Sequence, residues 1–410
     1  MFPYKYSGLM LAIIASMSSP VLATTKAISS SNTVSPYVIG GIPVAIDPAN
    51  NFMASLRNNK NGEAPFCGAT IINDQWVLTA AHCVVQGSGD SAFVVPPSDI
   101  TVSAGLIDNR YPQKEHLFSA THIVVHPDFS PIAVIKETID NNQLITEVVS
   151  TALDNDVALI RVNRKFVDLG KVTLATLSQS QQIEQRLKRE WEVANYPIPT
   201  DYRPENIEVL GWGATDPSGS SDSASDTLQQ AMLSFFPIDL CYERIESHGN
   251  PGLIIDNPAN VTKLCALPPV VIKDLGDGAI VGADSCKGDS GGPILATDSD
   301  GKKRQVGIVS GGTAGNPICG AMTRPGFYAR VGNYTNWIVD NSSKVPANSI
   351  TPPDFILDKD DDQGGGNEEC NDSLSANNCN IGKDRDGGGS FGFISLLVLL
   401  GCAFFRRLRA

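Results

Sequence analysis

The 410-residue sequence reads as an all-β fold, on two observations. Short runs rich in Val, Ile and Thr recur between clusters of Gly, Pro and Asn, at residues 75–79, 157–162, 207–210 and 306–309. Runs of that length and composition are strands of antiparallel barrels rather than helices. The segments that carry chemistry are spread across residues 38–340. A chain of this length has room for two or three ordinary domains, but that spread argues for one large unit built of two halves, divided between Asp156 and Trp212.

Three segments hold the candidate catalytic groups: Ala80-Ala81-His82-Cys83, Asp154-Asn155-Asp156-Val157-Ala158-Leu159 and Gly288-Asp289-Ser290-Gly291-Gly292-Pro293. Each residue type has its own reason to be there. A Ser hydroxyl is a poor nucleophile at neutral pH and needs a base beside it as it attacks a carbonyl carbon. An imidazole titrates near neutrality, so it can take that proton and return it to a leaving amine. A buried carboxylate fixes the imidazole tautomer and stabilises the imidazolium. Ser290, His82 and Asp156 are the candidates for nucleophile, general base and acid, and orienting group, roles that rest on a resemblance to a known family.

His, Asp and Ser in that order and in those settings resemble the trypsin/chymotrypsin serine peptidases, with Trp337 in a terminal helix-like stretch. The resemblance implies two six-stranded antiparallel β-barrels with the active site in the cleft between them, and a C-terminal helix. It also implies that the backbone N–H groups of Gly288 and Ser290 form the oxyanion hole, where donors must approach the developing charge closely. A side chain at Gly288 would make that turn hard to form.

Val38-Ile39-Gly40-Gly41 resembles the mature start of these enzymes. In the family, cleavage there frees an α-amino group that pairs with the Asp before the nucleophile, here Asp289, and a buried carboxylate gains much from such a partner. The preceding residue departs from a basic cleavage site, because it is Tyr37. Activation is therefore expected from a different peptidase with an aromatic preference, or at an altered cleavage position.

Asp284, six residues before Ser290, matches the base of the family's primary specificity pocket. A carboxylate there selects a cationic side chain. Gly312 and Gly326 match the small wall positions, with Ser310 beside them, and Ser285 adds a hydroxyl. The implied reaction is hydrolysis of peptide bonds after Arg or Lys. Gly311 departs from the pattern, since many relatives have Trp there, and its absence is expected to loosen or widen the cleft.

Nine Cys residues together with a leader imply an oxidising compartment. By resemblance, Cys67 pairs with Cys83, Cys241 with Cys265 and Cys286 with Cys319, each loop closure stabilising by about 2–4 kcal/mol. Cys370 and Cys379 lie close together in a polar tail and are expected to form a small local loop, which leaves Cys402 in an apolar run. No Cys-x-x-Cys pair occurs and the five His residues lack ligand spacing, so neither a metal nor a cofactor is expected.

Residues 1–23 combine Lys5, an apolar run over 9–15 and Val21-Leu22-Ala23, which fits a signal peptide. Residues 24–37 would then be the propeptide and 38–340 the catalytic domain. Residues 341–386 hold Pro346, Pro352, Pro353, the acidic stretch 358–362 and Gly364-Gly365-Gly366. That composition reads as a linker, because it cannot bury a core. Gly387-Gly388-Gly389-Ser390, the apolar helix expected over 391–405 and the basic end 406–409 resemble the GlyGly-CTERM sorting tail of Gram-negative bacteria. That tail is trimmed by a rhomboid-type intramembrane protease, and its carriers leave the periplasm by type II secretion. A short apolar run with basic residues at one end suits a transient inner-membrane anchor.

The formal net charge of −13 argues against nucleic acid as a partner. Protein or peptide substrates, an activating protease and the secretion and tail-processing machinery are the expected partners. Residues 132–149, 181–192 and 270–282 read as surface insertions that restrict access of macromolecules. The competing expectation is an inactive homologue that serves as a binding protein at the cell surface.

Overall fold

The computed structural model describes residues 38–44, 51–59, 64–140, 143–195, 203–246, 252–255, 262–276 and 279–357. All of them belong to one compact unit spanning Pro36–Ala410. The expected signal peptide, the propeptide, the Cys370–Cys379 pair and the apolar run 391–405 lie outside the described residues.

Six strands form the first barrel: β1 (Met53–Asn58), β2 (Pro65–Ile71), β3 (Trp76–Thr79), β4 (Ile100–Ala104), β5 (Leu117–Val125) and β6 (Ala158–Val162). Their order is β6-β3-β2-β1-β4-β5, and pairing of β6 with β5 closes the ring. The second barrel comprises β7 (Ile207–Gly211), β8 (Gln229–Phe236), β9 (Lys263–Leu267), β10 (Pro293–Thr297), β11 (Lys303–Gly312) and β12 (Gly326–Arg330). Its order is β8-β7-β10-β11-β12-β9, closed between β8 and β9. All pairings within the two rings are antiparallel.

The sequence runs read as strands are near-continuous apolar because they are covered on both faces. Every residue of β3 and of β7 is buried. A strand with one face in a barrel and the other beneath a helix or the second barrel has no solvent face to mark with polar residues. Where the barrels meet, Thr70 Oγ1 donates to Gln305 Oε1 at 2.8 Å, and this buried pair is satisfied internally.

Among the described residues, three α-helices longer than one turn lie on the barrels, and a short fourth spans Asp354–Leu357. α1 (Leu177–Ala194) contains the helix-prone stretch 181–192. Thr176 caps it, accepting from Gln179 N at 3.3 Å, which satisfies one of the orphan donors of the first turn. The helix is more than a surface insertion. Ser180, Ile183, Leu187 and Trp191 are buried along one stripe, and Trp191 meets Phe236 of β8 with ring centroids 5.1 Å apart. α2 (Ile238–Glu246) carries Cys241. α3 (Val331–Ser342) follows β12 and packs on α1, where a Cβ on Gly332 would lie 2.5 Å from that of Ser180.

The other two insertions are β-hairpins. One pairs Val134–Asp140 with Gln143–Ser150 and the other pairs Val271–Asp274 with Ile280–Gly282.

The structure differs from the expected linker at its start. Ile350–Thr351 runs parallel to β5, matching Ile123 and Val124. Pro353 is buried, Asp354 N donates to Pro127 O at 2.9 Å, and Phe355 meets Phe129 with centroids 6.3 Å apart. Residues 343–357 therefore form a strap over the first barrel, and the folded domain extends to Leu357 rather than residue 340. Three apolar residues, Ile350, Phe355 and Ile356, pack against the core; averaging them into a polar stretch hides them.

Candidate active site

His82 stands on a short turn, Ala81–Cys83, at the end of β3. The Cys67–Cys83 disulfide ties that turn to β2. The other two bonds, Cys241–Cys265 and Cys286–Cys319, are also formed. The second of these joins the segment before the nucleophile to the far wall of the pocket. Cys67, His82 and Cys83 come close together, but both sulfurs are consumed in the disulfide, so this cluster offers no thiolate for a metal.

Asp156 is fully buried and accepts three hydrogen bonds. His82 Nδ1 donates to Oδ2 at 2.7 Å, His82 N to Oδ1 at 2.9 Å, and Ser310 Oγ to Oδ2 at 2.6 Å. Burial alone would raise this carboxyl, yet the charge and hydrogen bonds of His82, with Ser310, hold it below the usual range. An ionised Asp156 places the imidazole proton on Nδ1, which leaves the Nε2 lone pair for a proton from elsewhere. The turn that presents Asp156 uses left-handed backbone at Leu153 (φ 51°) and Asn155 (φ 50°). Asn155 is the residue type that tolerates this, and its side chain is pinned by Tyr334 Oη at 3.2 Å and by Asp128 O at 2.9 Å.

Ser290 lies in the tight turn before β10. Its carbonyl accepts from Gly68 N at 2.7 Å, which ties the turn to the first barrel. Gly288 has φ 97°, and a Cβ there would approach the Gly213 Cα to 3.0 Å. Among the described residues, the backbone N–H groups of Gly288 and Ser290 donate to nothing, and the Ser290 hydroxyl has no hydrogen-bond partner. Free donors beside a nucleophile suit an oxyanion arriving with the substrate. Catalytic contacts of this kind commonly tighten only when substrate is bound.

A pocket opens beside Ser290, lined by Asp284, Ser285, Ser310, Gly312 and Gly326 among others. Asp284 Oδ2 accepts from Gly320 N at 2.8 Å, and Ser285 Oγ lies 3.1 Å from Tyr328 Oη. Burial pushes the Asp284 carboxyl up to about 7, against the pull of hydrogen bonds from Gly320 and Ser285. No atom approaches the position of a Cβ on Gly312, whereas one on Gly326 would crowd Tyr328 Oη at 2.9 Å and reach contact distance, 3.7 Å, from Asp284 Oδ1. Ser310 lines the pocket but turns its hydroxyl away to Asp156.

Val38 and Ile39 are buried, and Asp284 N donates to Ile39 O at 3.1 Å. Asp289 is completely buried, accepting from Gly213 N at 2.8 Å and Cys286 N at 2.9 Å. It has no cationic partner among the described residues, and burial pushes its carboxyl up to about 7. Two contributors are not marked by the sequence: Arg324, which lines the pocket, and Tyr328, whose hydroxyl meets Ser285. Tyr328, two residues after Gly326 on the same strand, was the easiest to find, since alternate strand residues share a face.

Two closed barrels that carry a His–Asp pair and a buried Ser lining the pocket define a serine hydrolase of the two-barrel kind. The Trypsin family matches residues 38–338. The chain is 31% identical to phenoloxidase-activating factor 3 of Holotrichia diomphalia, over 71% of this chain and 68% of that one. It is 27% identical to CLIP domain-containing serine protease B4 of Anopheles gambiae, over 74% and 70%. Human serine protease 41 is 29% identical over 70% and 71%. The chain belongs to the trypsin family and is a trypsin-like serine endopeptidase.

Proposed function

We propose that this peptidase cleaves after Arg or Lys and is made as a zymogen. The observation that carries the specificity is the buried Asp284 at the pocket base, with Gly312 and Gly326 leaving room for a long side chain. A desolvated carboxylate gains most from a guanidinium or ammonium that fills the pocket with it.

Each step uses a group for the chemistry its side chain suits. Ser290 Oγ attacks the scissile carbonyl carbon as His82 Nε2 takes its proton. The new oxyanion accepts from Gly288 N and Ser290 N. Collapse breaks the C–N bond, and the imidazolium returns the proton to the leaving amine. Water repeats the sequence on the acyl-enzyme and releases the acid. Asp156, held by Ser310, keeps the imidazole oriented throughout.

Cleavage after Tyr37 by a separate protease would free the Val38 amino group to pair with Asp289, which is buried without a cation. The relative named for activating phenoloxidase fits an enzyme whose substrate is itself a protein. Residues 1–23 would direct export through the periplasm, and the GlyGly-CTERM resemblance of residues 387–410 supports transient inner-membrane anchoring followed by secretion or attachment at the cell surface. No helix among the described residues is long and apolar enough to cross a membrane, and the apolar run 391–405 lies outside them.

The test is hydrolysis of matched Arg, Lys, Phe and Leu peptides by protein starting at Val38, beside Ser290→Ala and Asp284→Ala. Arg and Lys cleavage lost in both variants is the expected result. Activity that persists in Ser290→Ala overturns the mechanism. Phe or Leu cleavage that survives Asp284→Ala overturns the specificity.

A further inference from the structure

The pocket has two walls, and the ladder that joins them stops short. β11 and β12 pair as far as Gly312 and Gly326. Beyond that rung, Thr313 and Ala314 continue one wall, residues 315–317 carry it on to Ile318, and Arg324-Pro325 continue the other. Ile318 N and Cys319 N donate to Pro217 O at 2.9 and 3.1 Å, which fixes the far end of the first wall from outside. Between Gly312 and Ile318, the link across the pocket is a single side chain. Arg324 Nη2 donates to Pro317 O, and the guanidinium covers Gly315, where a Cβ would lie 2.5 Å from Cζ. Among the described residues no other hydrogen bond joins residues 313–317 to the opposite wall.

The same guanidinium is electrostatically coupled to Asp284. Its charge favours the ionised carboxylate, while partial burial lowers its own pKa. Arg324 Nε is buried without a partner, so this side chain stays there despite an unmet donor. A substrate cation therefore enters a pocket whose carboxylate already feels one fixed positive charge.

We propose that Arg324 is a specificity-determining residue of the primary pocket: it holds residues 313–317 as a wall and sets how strongly Asp284 attracts an incoming cation. It acts by positioning and by charge, without touching the reacting atoms. The inference rests on the Arg/Lys reading of the pocket.

Two substitutions separate the two roles. Arg324→Lys keeps a charge but loses the flat fork that spans Gly315 and Pro317. Arg324→Met loses both. Each is compared with the wild type on Arg, Lys and Ala peptides, after fluorophosphonate labelling of Ser290 has counted active sites. Both variants are expected to raise KM for Arg and Lys peptides about threefold to tenfold, the scale of one ordinary hydrogen bond, with kcat held within about twofold. Cleavage after Ala, whose side chain does not reach the wall, stays unchanged. In Arg324→Met alone, the acid limb of kcat/KM for Arg peptides moves upward by about half a pH unit as Asp284 loses a neighbouring cation. Unchanged KM and an unchanged acid limb in a fully labelled Arg324→Met overturn the inference. If that variant labels poorly, unchanged KM in Arg324→Lys overturns the wall role in the same way. A wild type that prefers Phe or Leu overturns the pocket reading itself, which is a distinct result.

Discussion

Phe327 stands where a side chain at Gly311 would have to go. The two residues face each other across the β11–β12 ladder. A Cβ on Gly311 would lie 2.7 Å from Phe327 Cζ and 3.1 Å from Leu153 Cδ1. The ring is 1% exposed, so it closes the strand from beneath and leaves the cleft side of Gly311 bare. The missing Trp has therefore not left a hole behind the strand; a neighbour on the adjacent strand has taken that space. Gly311→Trp alone should destabilise the protein by about 1–3 kcal/mol or more through overpacking. Adding Phe327→Val should recover most of that loss by making room for the indole. Urea unfolding of the single and double variants checks this, and a Gly311→Trp protein as stable as the wild type would refute the packing argument.

The parts of the site that were legible in the sequence are those whose chemistry sits in contiguous residues. His82, Asp156 and Ser290 each come with neighbours that explain them, and Gly288 carries its φ requirement in its residue type. The three cysteine pairs of the catalytic domain were expected from the family pattern and are formed. The strand runs at 75–79 and 207–210 were readable because β-branched residues crowd between turn formers. What stayed hidden depends on partners far away in the chain. The stripe of Ile183, Leu187 and Trp191 marks one face of α1, but nothing local says that this face meets Phe236 and Gly332. The Ser310 hydroxyl was expected in the pocket, and its turn toward Asp156 is visible only when residues 154 positions apart are brought together. Arg324 reads as an ordinary surface cation until Pro317 is placed across from it.

The Asp284 carboxyl supplies a pH dependence of its own. Burial raises it to about 7, so it takes up a proton as the pH falls below that value and loses its attraction for a cation. The ratio of kcat/KM for Arg over Ala peptides should be constant above about pH 8 and fall toward about pH 6. Taking the ratio cancels the pH dependence of the triad, which both substrates share. At saturating Arg peptide the fall should shift to lower pH, because the bound cation favours the ionised carboxylate. A ratio that is flat from pH 6 to 8 would mean that Asp284 is ionised throughout.

Asp289 makes a matching prediction for stability. Its folded carboxyl is raised to about 7, above the ordinary value of 3.8, so the folded chain holds a proton that the unfolded chain has released between those values. Folding stability of the uncleaved protein should therefore fall as pH rises from about 4 to about 7, by several kcal/mol from this group, and level off above it. Asp284 and the partly buried Glu184 are shifted in the same direction and add to the slope. Cleavage to expose the Val38 amino group should remove the Asp289 part, since a paired cation keeps the carboxylate ionised at lower pH. Urea titrations of cleaved and uncleaved protein at pH 5 and 8 check the sign. Equal pH slopes for the two forms would argue against pairing between Val38 and Asp289.

The strap over residues 343–357 should behave as part of the catalytic domain. It covers Ile123 and Phe129 of the first barrel, and its Asp354 N binds Pro127 O beside His126. His126 in turn is packed between Tyr334 and Trp337 of α3, at centroid distances of 5.2 and 5.0 Å. Tyr334 reaches Asn155, next to the catalytic carboxylate. Ending the chain at Ser342 would remove Ile350, Phe355 and Ile356 from this stack, which at the usual gain for buried apolar side chains costs about 2–5 kcal/mol. Phe355→Ala alone should cost about 1–3 kcal/mol, toward the lower end because the ring is only partly buried. The triad is anchored by its own hydrogen bonds, so kcat at 25 °C should stay within about twofold while the unfolding midpoint drops in both variants. A truncated protein that unfolds at the same urea concentration as the full chain would place the domain end at α3 after all.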